Sequence, residues 1–366
     1  MTRLWWNQIK AVIRLEMKKT FFAKRGLWIY LLALLPLVPF IGHAIDVEHQ
    51  KIVRARLATE GEKHLTRQDL ATITAGMSDQ EVLQRLGKPP AVTRWNQRRQ
   101  TAAHSFENVV YESHRYSDGE SDLTLYLQNG KVTGIFLSEG DNFGNDLIIF
   151  AVVFQFFYLR LAVFFGCLGI FMNLFRGELL DKSLHFYFLA PIRREVLMAG
   201  KYIAGLLAAV VIFTTSTFLQ IAVFAWHFDP NALNNYIYHG HGVAQAAAYL
   251  GITMLACIGY GSLFLAAGLL FRNPIFPAAS ILLWEGINPF LPAVLQKFSV
   301  IYYLKALCPV AIPVGPGTPP LLALFVSDAD PIAASVAILG VLTVSMLILL
   351  VSGLQVRRMQ IDYTTE

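Results

Sequence analysis

The sequence predicts an all-α polytopic membrane protein with six transmembrane helices and a small α+β extracytoplasmic domain inserted between helices 1 and 2. Of its 366 residues, 55% are hydrophobic and 15% are charged, and the mean hydropathy is +0.48. Several apolar runs reach the roughly 20 residues that a helix needs to cross a hydrocarbon core about 30 Å thick. One polar segment, residues 46–145, interrupts these runs and predicts the inserted domain.

The first segment, residues 1–26, predicts a basic amphipathic helix that lies in the inner membrane interface. Apolar and basic side chains recur at helical spacing on different faces. They are Trp5, Ile9, Val12, Ile13, Met17 and Phe21 on one face, and Arg3, Lys10, Arg14 and Lys18 on another. The apolar run that follows is too long for a signal-peptide core and lacks a small-x-small cleavage site, so it predicts a retained anchor.

Six apolar segments are predicted to span the membrane. They are Leu27–Ile45, Leu147–Phe171, Ile203–Trp226, Ala244–Phe271, Ala278–Leu295 and Ile332–Leu354. The fifth is the weakest, because it contains Glu285 and is interrupted by Pro289 and Pro292. The predicted regions are TM1 at 27–45, the insert at 46–145, TM2 at 146–172, a loop at 173–202, TM3 to TM6 within 203–355 and a tail at 356–366.

The distribution of basic residues predicts the orientation of these spans. Lys and Arg number fifteen in the N-terminal segment, the 172–202 loop, the loop after span four and the tail, against two in the short loops of the opposite side. Because cytoplasmic loops carry the excess of positive charge, both termini and the 172–202 loop are predicted to be cytoplasmic. The insert is then outside the cytoplasm.

The remaining composition excludes several classes of function. The insert has twelve Lys and Arg against fourteen Asp and Glu, so the net charge of +5 belongs to the membrane and cytoplasmic parts. It is a topology signal, and we expect no nucleic-acid partner. The cysteines Cys167, Cys257 and Cys308 have no metal-ligand spacing. His239 and His241 lack a third ligand nearby, so we predict no metal site.

The insert shows the signals of a helix followed by an antiparallel sheet. Ser78 and Glu81 form a capping box, and the helix Asp79–Leu86 that they start ends at Gly87, before two prolines. Three strands are predicted after it: about Val109–Tyr116, a leucine-alternating run over 123–127, and Val132–Leu137 beyond an Asn129-Gly130 hairpin turn.

The 172–202 loop and the start of span three contain FRGELLDKSLHFYFLAPIRREVLMAGKYIAG, residues 175–205. Residues 176–190 predict an amphipathic helix that is too short and too charged to span a membrane. Pro191 ends it, because proline lacks an N–H and crowds the preceding turn. Arg193, Arg194 and Glu195 then begin the helix of span three. A short cytoplasmic helix joined by a kink to a transmembrane helix is suited to docking a cytosolic partner.

These residues resemble the signature of type-2 ABC transporter permeases. The resemblance rests on an ordered set: Arg176-Gly177-Glu178, Lys182-Ser183, Ala190-Pro191-Ile192-x-Arg194 and Gly200-Lys201. The predicted topology extends it to the whole chain except the insert. One departure is Asp181-Lys182, where the family often has a Gly-Thr pair.

The resemblance implies that 176–190 is a coupling helix seated in a separate cytosolic ATPase subunit. The ATPase-coupling residues would be Glu178, Lys182, Ser183, Pro191, Arg193 and Arg194, with the two arginines near lipid headgroups or the ATPase. Alternatively, Glu178 is a solvated surface carboxylate and the arginines only anchor the topology.

The resemblance further implies a bacterial inner membrane protein that pairs with a second permease subunit, as a homodimer or heterodimer, and exports a substrate. It also implies a re-entrant element within Ser299–Leu324. This chain is not expected to be an enzyme or to hold a cofactor, because Gly177 to Ser183 lacks the spacing and second glycine of a phosphate-binding loop. ATP would be bound by the partner subunit.

The insert resembles the small BamE-type (SmpA/OmlA) domain of envelope assembly machinery. The matching residues are Gly76, Met77, Ser78, Val82, Leu86, Gly87 and Pro89, but a lipobox cysteine is lacking. The resemblance implies a domain without catalytic residues that binds an envelope protein. A spacer or stability module is the alternative.

Two charges fall within predicted spans, Arg160 in the second and Glu285 in the fifth. At the bilayer centre each costs roughly 2.5–3.5 kcal/mol on insertion scales, so each should face protein or water. They are predicted to lie on a translocation path or at a dimer interface, or to form a structural ion pair. Two other functions stay open: a membrane scaffold or sensor whose insert binds envelope proteins, and an ion-coupled carrier, although no inverted repeat is visible.

Overall fold

The computed structural model describes residues 2–22, 26–100, 106–138, 143–180, 192–271, 275–312 and 332–358. The chain divides into two compact units. The helical unit comprises Met1–Phe40, Gly144–Ala225 and Pro230–Glu366, and the sheet unit comprises Ile41–Phe143 and Trp226–Asp229.

The elements follow one another along the described chain as mostly helices, with one run of strands. They are α1 Thr2–Phe22, α2 Leu27–Leu34, α3 Leu37–Glu60, α4 Arg67–Ala71, α5 Asp79–Leu86, β1 Ala91–Gln100, β2 Phe106–Ser117, β3 Asp122–Gln128, β4 Lys131–Ser138, α6 Phe143–Val152, a π-helix Val153–Val163, α7 Phe164–Leu180, α8 Arg194–Trp226, α9 Pro230–Tyr238, α10 Gly242–Leu270, α11 Ile275–Ile287, a 3₁₀ turn Asn288–Phe290, α12 Ala293–Gln296, α13 Val300–Ala306 and α14 Ala334–Arg358.

Five helical stretches of the described chain are long and apolar enough to cross a membrane, as expected of a membrane protein. They are Leu27–Glu60, Phe143–Phe175, Arg194–Trp226, Gly242–Leu270 and Ala334–Arg357. They overlap the first, second, third, fourth and sixth predicted spans.

The fifth predicted span, Ala278–Leu295, is broken in the structure. α11 has 13 residues and gives way to the 3₁₀ turn at Asn288, and Leu291 then adopts an extended conformation before α12. Pro289 and Pro292 account for the break, because proline removes a backbone donor and crowds the preceding turn. A helix of 13 residues is about 20 Å long, less than the hydrocarbon core, so the six-span topology stays a prediction.

Glycines let the long helices of the helical unit approach closely. A Cβ added at Gly261 of α10 would lie 2.5 Å from Cζ of Phe171 in α7, and one at Gly205 of α8 would lie 2.9 Å from Cδ1 of Leu174 in α7. Small residues at such contacts are typical of helices that pack in a bilayer, where the hydrophobic effect does not drive association. α7 is therefore enclosed by α8 and α10.

The sheet unit contains four antiparallel strands in sequence order, β1-β2-β3-β4, whereas three were predicted. β1 was missed because AVTRWNQRRQ lacks apolar alternation, yet it pairs along its whole length with β2, from Ala91↔Arg115 to Gln100↔Phe106. The three predicted strands correspond to β2, β3 and β4, and their antiparallel pairing is confirmed.

The predicted turns and caps of the sheet unit are confirmed. The Ser78–Glu81 capping box starts α5, and α5 ends at Gly87, whose φ is 79°. Asn129 and Gly130 have φ of 49° and 76°, as a two-residue hairpin turn requires. The core lies between the two short helices and one face of the sheet. It consists of Leu70, Ile73, Val82, Leu86, Tyr116, Leu123, Leu125, Leu127 and Val132.

Candidate functional site

The predicted coupling segment lies largely outside the described residues. Lys182, Ser183 and Pro191 fall within 181–191, and Glu178 is described only as helical backbone at the end of α7. The structure does describe Arg193, Arg194 and the two helices that flank the segment. The site is therefore built from those flanks.

Lys201 of α8 joins three helices. Its ammonium lies 2.6 Å from Oε1 of Glu16 in α1 and donates a hydrogen bond of 2.9 Å to the carbonyl of Leu174 in α7. It also lies 5.4 Å from the ring centre of Phe175. Lys201 is 0% exposed and Glu16 is 3% exposed. A buried ion pair of this kind is tolerated where further polar contacts offset the desolvation of the charges.

The contact between α1 and α8 continues along both helices. A Cβ added at Gly200 would lie 3.0 Å from Cγ1 of Val12, so the glycine gives α1 its close approach. Nearer the start of both helices, the guanidinium of Arg193 lies 5.1 Å from the ring centre of Trp5. We call the residues of this contact the α1–α8 seam. They are Trp5, Val12 and Glu16 on α1, Gly200 and Lys201 on α8, and Arg193 immediately before α8.

The start of α8 also contacts the end of α14. Nη1 of Arg194 donates a hydrogen bond of 3.2 Å to the carbonyl of Arg357, and the guanidinium of Arg357 forms an ion pair with Glu195. The first residues of α8 are thus tied to α14 as well as to α1. Both predicted arginines therefore have intramolecular contacts at the foot of span three.

Sequence reasoning missed the role of Glu16. Its position carried a signal, since Glu16 lies four residues after Val12 and eleven after Trp5, in register with the apolar face of α1. A carboxylate in an apolar stripe requires a buried partner. Lys201 was recognised only as part of a motif and as a positive-inside charge.

Arg160 and Glu285 line one cavity of about 580 Å³ in the helical unit. Most of the other lining side chains are apolar. The apolar ones are Phe156, Leu161, Phe164, Ala279, Leu282, Leu283 and Ile287. Tyr260 and Gly286 complete the lining. Arg160 belongs to the π-helix Val153–Val163 and is next to the centre of the predicted span Leu147–Phe171. The structure thus places at one cavity the two charges that the sequence predicted to lie within membrane spans.

Glu285 has a structural role at the edge of this cavity. Its carboxylate accepts hydrogen bonds from the hydroxyl of Ser299 at 2.8 Å, from the N–H of Val300 at 3.0 Å and from the N–H of Ile301 at 2.8 Å. These donors form the amino end of α13, where a negative charge is stabilising. Glu285 is 5% exposed, so these bonds satisfy a buried charge.

A second cavity, of about 900 Å³, lies between α14 and the helices α10, α12 and α13. Its lining is mainly aliphatic and includes Leu263, Val294, Leu339 and Leu347. Lys297 is the basic residue of its lining. It offers a matched comparison for the cavity of Arg160.

A hydroxyl network joins four helical elements in the interior of the helical unit. Thr217 of α8 lies 2.9 Å from the hydroxyl of Thr253 in α10 and 3.2 Å from that of Tyr158 in the π-helix. Ser216, the neighbour of Thr217, donates to the carbonyl of Ala33 in α2. Hydrogen bonds between helices stabilise packing where apolar burial does not. These residues were not predicted from the sequence.

The sheet unit has a polar cluster on the core side of the sheet. The carboxylate of Glu112 lies 2.8 Å from Nε of Arg94 and 3.2 Å from Nε2 of His114. Burial opposes the charge of Glu112, but the hydrogen bonds from Arg94 and His114 outweigh burial and lower the pKa of its carboxyl. The cluster joins β1 to β2.

The opposite face of the sheet carries exposed aromatic side chains. The rings of Trp95 and Tyr111 stack with centroids 5.8 Å apart, and Tyr126 and Phe136 are 45% and 64% exposed. Strand register places all four on the face turned away from the leucines of β3.

Comparison of the chain with family profiles, curated proteins and solved structures finds no match.

Proposed function

We propose that the chain is the permease subunit of a type-2 ABC transporter, which exports a substrate across the bacterial inner membrane. A separate cytosolic ATPase subunit would supply the energy, and a second permease subunit would complete the path. The proposal rests on the ordered residues of the 176–201 segment and on one contact above all. That contact is the buried bond of Lys201 to both Glu16 and Leu174.

The contact gives the proposed coupling a mechanical route. The docking segment is flanked by α7, which contains Leu174, and by α8, which contains Lys201. Because separating Lys201 from Glu16 would leave a buried charge unpaired, α1 and α8 should move together when the ATPase displaces the segment. In this proposal Glu178, Lys182, Ser183 and Pro191 meet the ATPase. Arg193 and Arg194 hold the base of α8 to α1 and α14.

The proposal is tested by purifying the tagged full-length chain from its native host with its partners and assaying ATP hydrolysis in proteoliposomes. We expect a nucleotide-hydrolysing subunit to co-purify. Glu178→Lys should abolish its retention or reduce coupled turnover at least tenfold. Glu48→Lys, a charge reversal at an exposed position of α3, serves as the matched control. The proposal fails if chemical crosslinking recovers no such subunit, or if Glu178→Lys and Glu48→Lys behave alike.

The second candidate is a membrane scaffold or sensor whose BamE-like domain binds an envelope protein. It is favoured by the exposed aromatic face of Trp95, Tyr111, Tyr126 and Phe136. Aromatic residues dominate the energetics of many protein interfaces. Phe136→Asp should then abolish binding of the envelope protein. It should leave the rate of ATP hydrolysis by any co-purified ATPase unchanged. The permease function predicts that Glu178→Lys is the damaging change.

A further inference from the structure

We propose that the cavity of Arg160 binds an anionic amphiphile, with the guanidinium contacting the charged head and the hydrocarbon tail leaving at the surface of the helical unit. This inference concerns binding alone and does not depend on the proposed function. It would hold equally for a transported molecule and for a resident lipid.

The size and walls of the cavity fit part of such a molecule. Its volume of about 580 Å³ falls in the range of roughly 300–1,000 Å³ that is typical of small-molecule sites. Phe156 and Leu161 of the π-helix and Phe164 of α7 supply apolar contact, and α11 supplies four further apolar residues. A purely hydrophilic anion would gain little from these walls.

The cavity opens on the surface of the helical unit. Three of its lining residues in α11, Leu282, Leu283 and Ile287, are 37%, 64% and 36% exposed. A tail that leaves between these side chains stays in contact with hydrocarbon when the helices lie in a bilayer. This opening favours a ligand with a long apolar part.

The balance of donors and acceptors favours a negative head. The oxygens of Glu285 already accept three hydrogen bonds from the amino end of α13, whereas a carboxylate has about four acceptor positions. A guanidinium has five N–H donors, more than one carboxylate can accept. The carboxylate of the lining is therefore already engaged by α13, and the cation of the lining, Arg160, is the group that a charged head would contact.

The backbone at Arg160 is a second, independent observation. Val153–Val163 forms a π-helix of 11 residues between α6 and α7. Most π-helical segments are shorter, and they occur frequently at functional sites. Here the π-helix supplies Phe156, Arg160 and Leu161, three residues of the cavity lining. The π-helix thus supplies the cationic residue of the cavity lining.

The test measures displacement of 11-(dansylamino)undecanoic acid from the purified full-length chain in a neutral detergent. The competitors share one chain length: palmitate, hexadecanol and hexadecyltrimethylammonium. We expect palmitate to displace the probe at a concentration at least tenfold lower than the other two. Arg160→Met should remove this preference and Arg160→Lys should keep part of it. Lys297→Met, which removes the cation from the second cavity, should leave it intact.

Further arms identify the source of the ligand. Inorganic phosphate has the charge without the tail and should not compete. Short-chain phosphatidylglycerol competing better than palmitate would support a bilayer phospholipid, and the reverse order would support a single-chain acid. If Arg160→Met fails to fold, Ala279→Trp fills the cavity and should weaken palmitate binding at least tenfold.

Four results would overturn the inference. They are equal competition by hexadecyltrimethylammonium, competition by inorganic phosphate, unchanged palmitate binding in both Arg160→Met and Ala279→Trp, and a disulfide crosslink between two copies through Leu283→Cys that forms without probe and blocks its binding. The last result would show that a second copy of the chain covers the opening.

Discussion

Glu16 in α1 and Lys201 in α8 form an ion pair of 2.6 Å in which both side chains are almost completely buried. The two residues are 185 positions apart. The pair attaches the N-terminal amphipathic helix α1 to α8, a helix of membrane length. α8 directly follows the proposed docking segment in the sequence.

Replacing Lys201 by Met should destabilise the protein by about 3–5 kcal/mol, because the substitution leaves the carboxylate of Glu16 buried without its cation. Glu16→Leu combined with Lys201→Met should recover most of this loss, since neither charge remains. Thermal unfolding of the purified protein in detergent measures both effects. Lys18→Met, at an exposed position of α1, is the control and should change stability by less than about 0.5 kcal/mol. Equal losses in the single and double variants would contradict this account.

Glu285→Gln should loosen the amino end of α13. The carboxylate accepts hydrogen bonds from three donors with two oxygens, whereas an amide has only one acceptor oxygen. We expect a cost of about 1–3 kcal/mol, seen as faster hydrogen exchange at the amides of Val300 and Ile301. Ser299→Ala removes one of the three bonds and should have a smaller effect. Unchanged exchange in Glu285→Gln would show that the carboxylate does not hold this helix end.

Gly261→Ala should destabilise the contact between α10 and α7 by about 1–3 kcal/mol, since the new Cβ would meet the ring of Phe171 at 2.5 Å. Gly251→Ala in the same helix is the matched control, because no atom lies within 4 Å of the added Cβ. That change should be neutral or stabilise the protein by up to about 1 kcal/mol. Adding Phe171→Leu should rescue Gly261→Ala in part. Equal unfolding temperatures for Gly261→Ala and Gly251→Ala would refute the proposed packing.

The sheet unit should lose stability in acid through Glu112. Its pKa in the folded protein lies below the ordinary value of 4.5, so the unfolded chain takes up the proton first as the pH falls. The stabilisation by Arg94 and His114 is therefore complete above 4.5 and is lost as the pH falls through the lower, folded pKa.

Hydrogen exchange at the amides of β1 and β2 measures this loss. Comparing the full-length protein with Glu112→Gln at each pH removes the intrinsic pH dependence of exchange. The difference in exchange rate between the unmodified protein and Glu112→Gln should shrink as the pH falls below 4.5. Glu120→Gln, at an exposed turn, should behave as the unmodified protein. A difference that stays constant with pH would show that the charge of Glu112 contributes nothing.

Local signals in the sequence predicted much of the fold. Apolar runs of membrane length located five long helices, and the Ser78–Glu81 box and the Asn129-Gly130 turn placed α5 and the last hairpin. Each of these features is defined by residues that are close together in the sequence. The sequence also selected Arg160 and Glu285, because charges are costly within apolar segments.

Tertiary structure decided the rest. β1 forms because its partner β2 lies beside it, although its own residues show no apolar alternation. Glu16 finds Lys201, and Glu285 finds the amino end of α13, only once separate helices pack together.

The sequence by itself determined which segments are apolar, where helices start and turns occur, and which charges need a buried partner. The packing of the helices decided which partner each charge received. The physical reason is that periodicity and capping act within a few residues, whereas a buried ion pair or a cavity depends on the positions of whole helices.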